Sequence, residues 1–222
     1  MYANKNNIIM KKIILYFFFT MIVGSLFAQN IRTIVLNPPD TSRGLPLMKT
    51  LSHRASQSEF DTASLKLQDL SDLLWAANGI NRPEIGKRTA PSAQNAQDID
   101  IYVFMESGIY LYNAKDHILE LVLEGDNRNL FSGRPEEQPL PPVICLLVSD
   151  ISRFRFGDNS LRKEWAAMDA GIVSQNICVF CASVGFATRP RAGMNKDKLR
   201  AILKLSDTQY LMLNNPVSYK KK

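Results

Sequence analysis

Arg88-Thr89-Ala90-Pro91-Ser92-Ala93-Gln94-Asn95 gathers a proline, a short hydroxyl, a short amide and several free backbone N–H groups in eight residues. Proline stiffens the turn, and the Ser92 and Asn95 side chains can then face one way with the amides. That set suits a flat ligand with a polar edge, gripped rather than chemically attacked. The same composition also makes an ordinary loop, so the elements around it decide its meaning. Other chemistry is sparse. There is no Ser/His/Asp order, and two histidines without a cysteine–histidine cluster do not make a zinc site. Cys178-x-x-Cys181 has redox spacing but lies inside a long apolar helical pattern, where both thiols are expected to be buried small hydrophobes. Asp98 and Asp100 open a strand beside the loop and are expected to be solvated. His53 is expected on a helix surface, and His117 in a turn is given no role.

The segments that must position the loop are periodic. Asn30 to Gly44 is expected to be extended, broken by Pro38-Pro39, and a first helix to run from Leu45 to His53. Leu67, Leu70, Leu73, Leu74 and Ala77 recur at helical spacing, with Asn78-Gly79 closing the helix as a C-cap. Ile99 to Phe104 alternates as a strand, Ile109 to Tyr112 returns it, and Ile118 to Leu123 extends the meander. Val143 to Ser149 is continuously apolar, as in a strand covered on both faces. Ser160 is expected to cap a long helix that Gly185 ends near Val184. A short helix from Asn195 to Leu203 and a strand from Tyr210 to Leu213 complete an α+β sandwich.

The 222 residues, 45% of them hydrophobic, are enough for one substantial core. Lys11 and Lys12 precede an apolar run from Ile13 to Phe27, and Ala28-Gln29 follows as a cleavage site, so residues 1–28 read as a secretory signal peptide. The expected layout is therefore a signal peptide (1–28), an extended segment (29–44) and one domain (45–222), secreted or periplasmic, with no membrane attachment after cleavage. Cleavage removes three lysines and no acid, lowering the net charge from +6 to +3. That excess is too small, and too scattered, to argue for nucleic acid. Three cysteines exclude a complete set of internal disulfides.

In order and spacing the chain resembles the FMN-dependent nitroreductase superfamily, and within it the SagB/ThcOx-type dehydrogenases. The resemblance spans roughly residues 45–219. It rests on Leu70 to Asn81, Arg88 to Asn95, Ile109 to Tyr112, Asp169-Ala170-Gly171, Gln175-Asn176-Ile177 and Val184 to Thr188. It implies a central, mostly antiparallel sheet flanked by helices, in an intertwined homodimer with two FMN sites, each lined by both copies. It further implies that Pro91, Ser92 and Asn95 hold the flavin ring, and that Val184, Gly185 or Phe186 offers a backbone N–H near flavin N5. The family's phosphate segment, usually Arg-Arg-Ser-x-Arg-x-Phe, here reads Arg54-Ala55-Ser56-Gln57-Ser58-Glu59-Phe60. Arg54, Ser56 and Phe60 fit, whereas Ala55 and Ser58 replace two cations. His53, Arg189, Arg191 or the terminal lysines could compensate. Ser218 stands where glycine is usual and is expected to narrow a C-terminal turn.

The implied activity is an exported FMN-dependent oxidoreductase passing a hydride or electron pair through flavin N5 to or from a small-molecule substrate. Nicotinamides are scarce outside the cytoplasm, so NAD(P)H suits an exported enzyme poorly as donor, and the donor is left open. The missing cations favour one alternative, a catalytically degenerate module of the same fold with weak or no FMN.

Overall fold

The computed structural model describes residues 33–131 and 140–221. The signal-peptide expectation therefore lies outside the described residues. Among the described residues, nine strands and four α-helices follow one another: β1 (Thr33–Val35), α1 (Leu47–His53), α2 (Leu67–Asn78), β2 (Ile80–Arg82), β3 (Lys87–Arg88), β4 (Ile99–Met105), β5 (Gly108–Asn113), β6 (Ile118–Glu124), β7 (Val143–Asp150), α3 (Asn159–Val184), β8 (Phe186–Thr188), α4 (Lys196–Leu203) and β9 (Gln209–Tyr219). Seven strands form one sheet in the order β1-β6-β5-β4-β7-β9-β8, every neighbouring pair antiparallel. β2 and β3 make a separate hairpin.

Alternation along the central strands builds two cores. Ile99, Ile101 and Val103 of β4, with Val143, Cys145 and Leu147 of β7, face Leu70, Leu73, Leu74 and Ala77 of α2 and Ala170, Val173, Ile177 and Cys181 of α3. Tyr102, Phe104, Ile144, Leu146 and Val148 point the other way, onto Leu199 and Leu203 of α4. The apolar run of β7 is thus buried on both faces, because helices cover both sides of the sheet. Each such side chain stabilises the fold by about 1.5–3 kcal/mol relative to exposure. Cys145, Cys178 and Cys181 are free and buried, and burial pushes the Cys145 thiol up to about 12, so none of the three is poised for redox chemistry.

Several boundaries differ from expectation. α3 is capped by Asp158, whose carboxylate accepts from Leu161 N at 2.9 Å, rather than by Ser160. Gly79 follows α2 with φ −74°, an extended cap instead of a left-handed one; glycine is required because a Cβ would lie 2.6–2.8 Å from Trp75. β9 runs six residues beyond Leu213, through Pro216. The strand continues because Asn214 exchanges backbone bonds with Arg191 and Asn215 accepts from Ser174. Ser218 is accordingly buried in β9, where its hydroxyl accepts from Asp61 N and donates to Tyr219 O, and it narrows no turn. His117 bridges Tyr112 Oη and the Asn37 carbonyl, fastening the segment after β1 to the meander.

Candidate functional site

The polar loop after β3 is held in a shape that its sequence does not favour. Gln94, Asn95 and Gln97 all have φ near +50°, in the left-handed region that costs a non-glycine residue roughly 1 kcal/mol or more. Bonds from four directions hold it. Gln97 N donates to Ser92 Oγ at 2.8 Å, and the Gln97 side chain joins Arg88 Nε to the Gly86 carbonyl. Arg155 N donates to Gln94 Oε1. Ala93 N donates to both carboxylate oxygens of Asp169 on α3, at 2.9 and 3.1 Å. Pro91 and Asn95 remain exposed; the Asn95 backbone N–H donates to Ser92 O, while its side-chain amide has no partner among the described residues.

Below this loop the solvated acids of the sequence reading are not found. Asp98 is fully buried: Oδ2 accepts from Ser149 Oγ at 2.5 Å and Oδ1 has no donor. Burial first, and then neighbouring Asp169, raise the Asp98 pKa to about 7, against the lowering effect of Ser149. Asp100 pairs with Arg153, whose guanidinium also donates to the Gln97 carbonyl. Both acids were legible as residues near the loop; their burial and pairing depend on β7 and α3, far off in sequence.

A second group of candidates lies at the C-terminal end of α3. Gly185 takes a left-handed cap (φ 78°) and donates its N–H to Cys181 O, while Phe186, buried, stacks edge-on against Phe180 and Tyr219. Gln57 N donates to the Thr188 carbonyl, which lays the Arg54–Ser56 segment beside Thr188 and Arg189. Arg54 and Ser56 are exposed, and Arg54's charge reaches Cys178. Arg189 Nε is buried without a partner, and Arg191 is held below its ordinary pKa by burial and by the Arg189 charge. Among the described residues no carboxylate pairs with Arg54, Arg189 or Arg191.

One protomer brings Arg54, Ser56, Val184, Gly185 and Phe186 toward the C-terminal end of α3, holds Arg191 against Asn214 of β9, and sets Pro91, Ser92 and Asn95 in another place. The loop docks at Asp169, fifteen residues before Val184, which is about 22 Å along the helix axis. The braces Gln94, Gln97, Asp98 and Asp169 were missed as a group, although Asp169 was noticed as part of Asp169-Ala170-Gly171. Arg189, half-buried with its Nε enclosed and without a partner among the described residues, is a stronger anion candidate than exposed Arg54.

Residues 51–217 match the profile of the Nitroreductase family. A protein of Methanocaldococcus jannaschii named "Putative nitroreductase" is 28% identical over 199 residues, covering 85% of this chain and 98% of its own. A crystal structure described as a "putative nitroreductase" from Ralstonia eutropha JMP134 superposes with a TM-score of 0.80 at 34% identity, covering 86% of this chain and 90% of the other. A Staphylococcus epidermidis protein described as a "putative NAD(P)H:FMN oxidoreductase" shares the fold at a TM-score of 0.60 and 12% identity, covering 83% and 92%. With its sheet, its helices and most of its length matched, the chain belongs to the nitroreductase family and is an oxidoreductase.

Proposed function

We propose that this protein is an exported, homodimeric, FMN-dependent oxidoreductase of the SagB/ThcOx type that moves a hydride or an electron pair to or from a small substrate. The observation that carries this reading is the unbalanced cation group of Arg54, Arg189 and Arg191, with a buried guanidinium N–H that nothing among the described residues satisfies. A phosphate monoester supplies both the counter-charge and the acceptor oxygens, and arginine forks match it in geometry. The residues present therefore fit FMN at its phosphate end, despite Ala55 and Ser58. Ser56 adds a hydroxyl donor.

At the ring end, Asn95 keeps its side-chain amide free among the described residues, and Ser92 retains its hydroxyl proton while its oxygen accepts from Gln97 N. Bound FMN supplies a hydride- and electron-accepting ring; the chain's part is to orient that ring and keep one face open. Val184, Gly185 and Phe186 would flank it from the other side. The N–H of Gly185 is already committed to Cys181.

The separation of about 22 Å along α3 supports a site made by two copies. A second chain, with its α3 antiparallel to the first, would bring one copy's loop to the other's cation group. The exposed apolar residues Leu161 and Met168 on α3, and Leu47, Met48 and Leu51 on α1, are the surface such pairing would cover. A fold relative named for NAD(P)H and FMN supports the flavin. Outside the cytoplasm a quinol, a reduced small molecule or a redox partner protein suits better as the donor. Export itself is motivated by the apolar run after Lys11-Lys12.

The visible spectrum of freshly purified protein tests the reading. Flavin absorbance at about one FMN per chain is expected. A colourless protein that remains empty after incubation with excess FMN would overturn it in favour of a degenerate module.

A further inference from the structure

We propose that Asn214 is the positioning residue of the candidate phosphate site: it grips residues 191–193 and holds the Arg191 guanidinium with its two terminal nitrogens free for an anion. The inference rests on the FMN reading above and adds to it a residue that touches no ligand. Asn214 lies inside β9 with none of its surface exposed. Its backbone N–H donates to the Arg191 carbonyl, and its backbone carbonyl accepts from Arg191 N, both at 2.8 Å. Its side chain is committed to the same loop. Nδ2 donates to the carbonyls of Arg191 and Gly193, each at 3.1 Å, and Oδ1 accepts from Arg191 Nε at 3.2 Å.

The chemistry of those partners selects the residue. Two carbonyls can face only the NH2 end of an amide, and a guanidinium N–H only its oxygen, so the amide has one possible orientation. The backbone bonds would survive any non-proline residue, whereas the side-chain bonds need a donor and an acceptor on one short stem. An amide this deep in a sheet costs free energy unless it is paired, and an aliphatic residue suits a buried strand better. The sheet alone gives no reason for asparagine; the grip on Arg191 does. Asn215 faces the other way and accepts from Ser174 Oγ of α3 at 2.8 Å, so the strand that carries the clamp is itself fixed.

What the clamp leaves over is a directed charge. Arg191 Nε is used by Asn214, while its two terminal nitrogens have no partner among the described residues. Arg191 lines an open cleft of about 570 Å³ with Met194, Asn195 and Lys198. The Arg189 charge repels it, and two like charges on flexible side chains move apart. A guanidinium fixed at Nε cannot swing away, and it meets a phosphate with its end-on pair of nitrogens already aligned. That preorganisation is what Asn214 contributes.

Flavin titration separates positioning from mere stability. Asn214→Leu keeps the volume and the strand bonds but removes the amide. It should weaken FMN binding about tenfold, as loss of a charge-assisted bond does, and leave riboflavin, which has no phosphate, unchanged. Arg191→Ala should cost as much in the natural background and almost nothing further in Asn214→Leu. Losses that multiply in the double variant, or equal losses for FMN and riboflavin, would overturn the proposal. A second readout needs no flavin. The Arg191 Nε–H proton, assigned by its disappearance in Arg191→Lys, should exchange slowly with water in NMR spectra of the natural protein and fast in Asn214→Leu. Fast exchange in both would overturn the clamp. Should Asn214→Leu fail to fold, Asn214→Ala, which adds no bulk, carries the same expectations. A natural protein that takes up neither flavin would overturn the FMN reading, and the exchange measurement then decides the clamp by itself.

Discussion

The middle and the C-terminal end of α3 are built on opposite electrostatic plans. Around Asp169 the charges are answered within the chain: Ala93 donates to Asp169, Ser149 to Asp98, and Arg153 grips Asp100 with a two-pronged bond. Around Val184 the charges are left over, with Arg54, Arg189 and Arg191 facing no carboxylate among the described residues. The C-terminal pole of a helix offsets a cation by only about 0.3–1 kcal/mol, too little to explain three. A region whose polar groups satisfy one another is completed by folding. A region with surplus charge is completed by something that binds, and the two regions lie too far apart in one copy to act on the same ligand.

The sharpest way to break this contrast is to keep the copies apart. Gly171 is exposed on the outer stripe of α3, and a Cβ added there meets nothing within 4 Å. Gly171→Arg should therefore leave the protomer at least as stable, since glycine inside a helix costs about 1 kcal/mol. In sedimentation velocity the variant should run as a monomer, and its flavin absorbance should vanish. A dimeric, fully yellow Gly171→Arg would show that this stripe does not pair.

Next in size is the cation group itself. Arg189→Ala should weaken FMN binding by roughly 10- to 100-fold, the equivalent of about 1.5–3 kcal/mol for a charge-assisted bond. Riboflavin, which lacks the phosphate, should bind both proteins equally in a fluorescence titration. Equal losses for the two ligands would move Arg189 from the phosphate to the fold. Ala55→Arg should act in the opposite direction, again for FMN alone.

The periodic elements were legible because they answer to local rules. The meander, the doubly buried β7 and the Gly185 cap all follow from patterns within a few residues of themselves. What escaped was set by distant partners. Asp98 reads as a solvated acid until Ser149 and Asp169 arrive from other elements to bury it. Asn214-Asn215-Pro216 reads as a strand end, but Arg191 and Ser174 supply the bonds that continue β9. The choice between Asp158 and Ser160 as cap could not be made from types alone, because both side chains can accept from a helix N–H. The candidate site divides in the same way. Individual residues were visible, among them the loop and the compensating arginines, but neither their separation along α3 nor the braces beneath the loop could be read from spacing.

A smaller effect tests the route from α2 to the loop. A Cβ at Gly79 would lie 2.6–2.8 Å from Trp75 ring and backbone atoms, and the Gly79 carbonyl accepts from Thr89 N. Gly79→Ala should cost about 1–3 kcal/mol, as overpacking does, in chemical denaturation. Because the carbonyl is shared with the strand that leads into Pro91, flavin retention should fall with stability. Lost stability with unchanged flavin affinity would show that the loop is braced from α3 alone.

The smallest expected change falls at the opposite end, on Gly185. Its φ of 78° is the only demand the structure places on it, since a Cβ there meets no atom within 4 Å. Gly185→Ala should thus lower stability by about 1 kcal/mol through the backbone, and Gly185→Asn by less, because asparagine tolerates the left-handed region better. Urea titration of the two variants separates this cost from any role toward a ligand. If the turn also flanks a flavin, both side chains intrude on the open space and asparagine the further, so FMN affinity should drop more in Gly185→Asn while stability drops more in Gly185→Ala. Affinity that instead tracks stability would leave Gly185 as a helix cap, and the cation group beside it would have to hold the ligand without help from the turn.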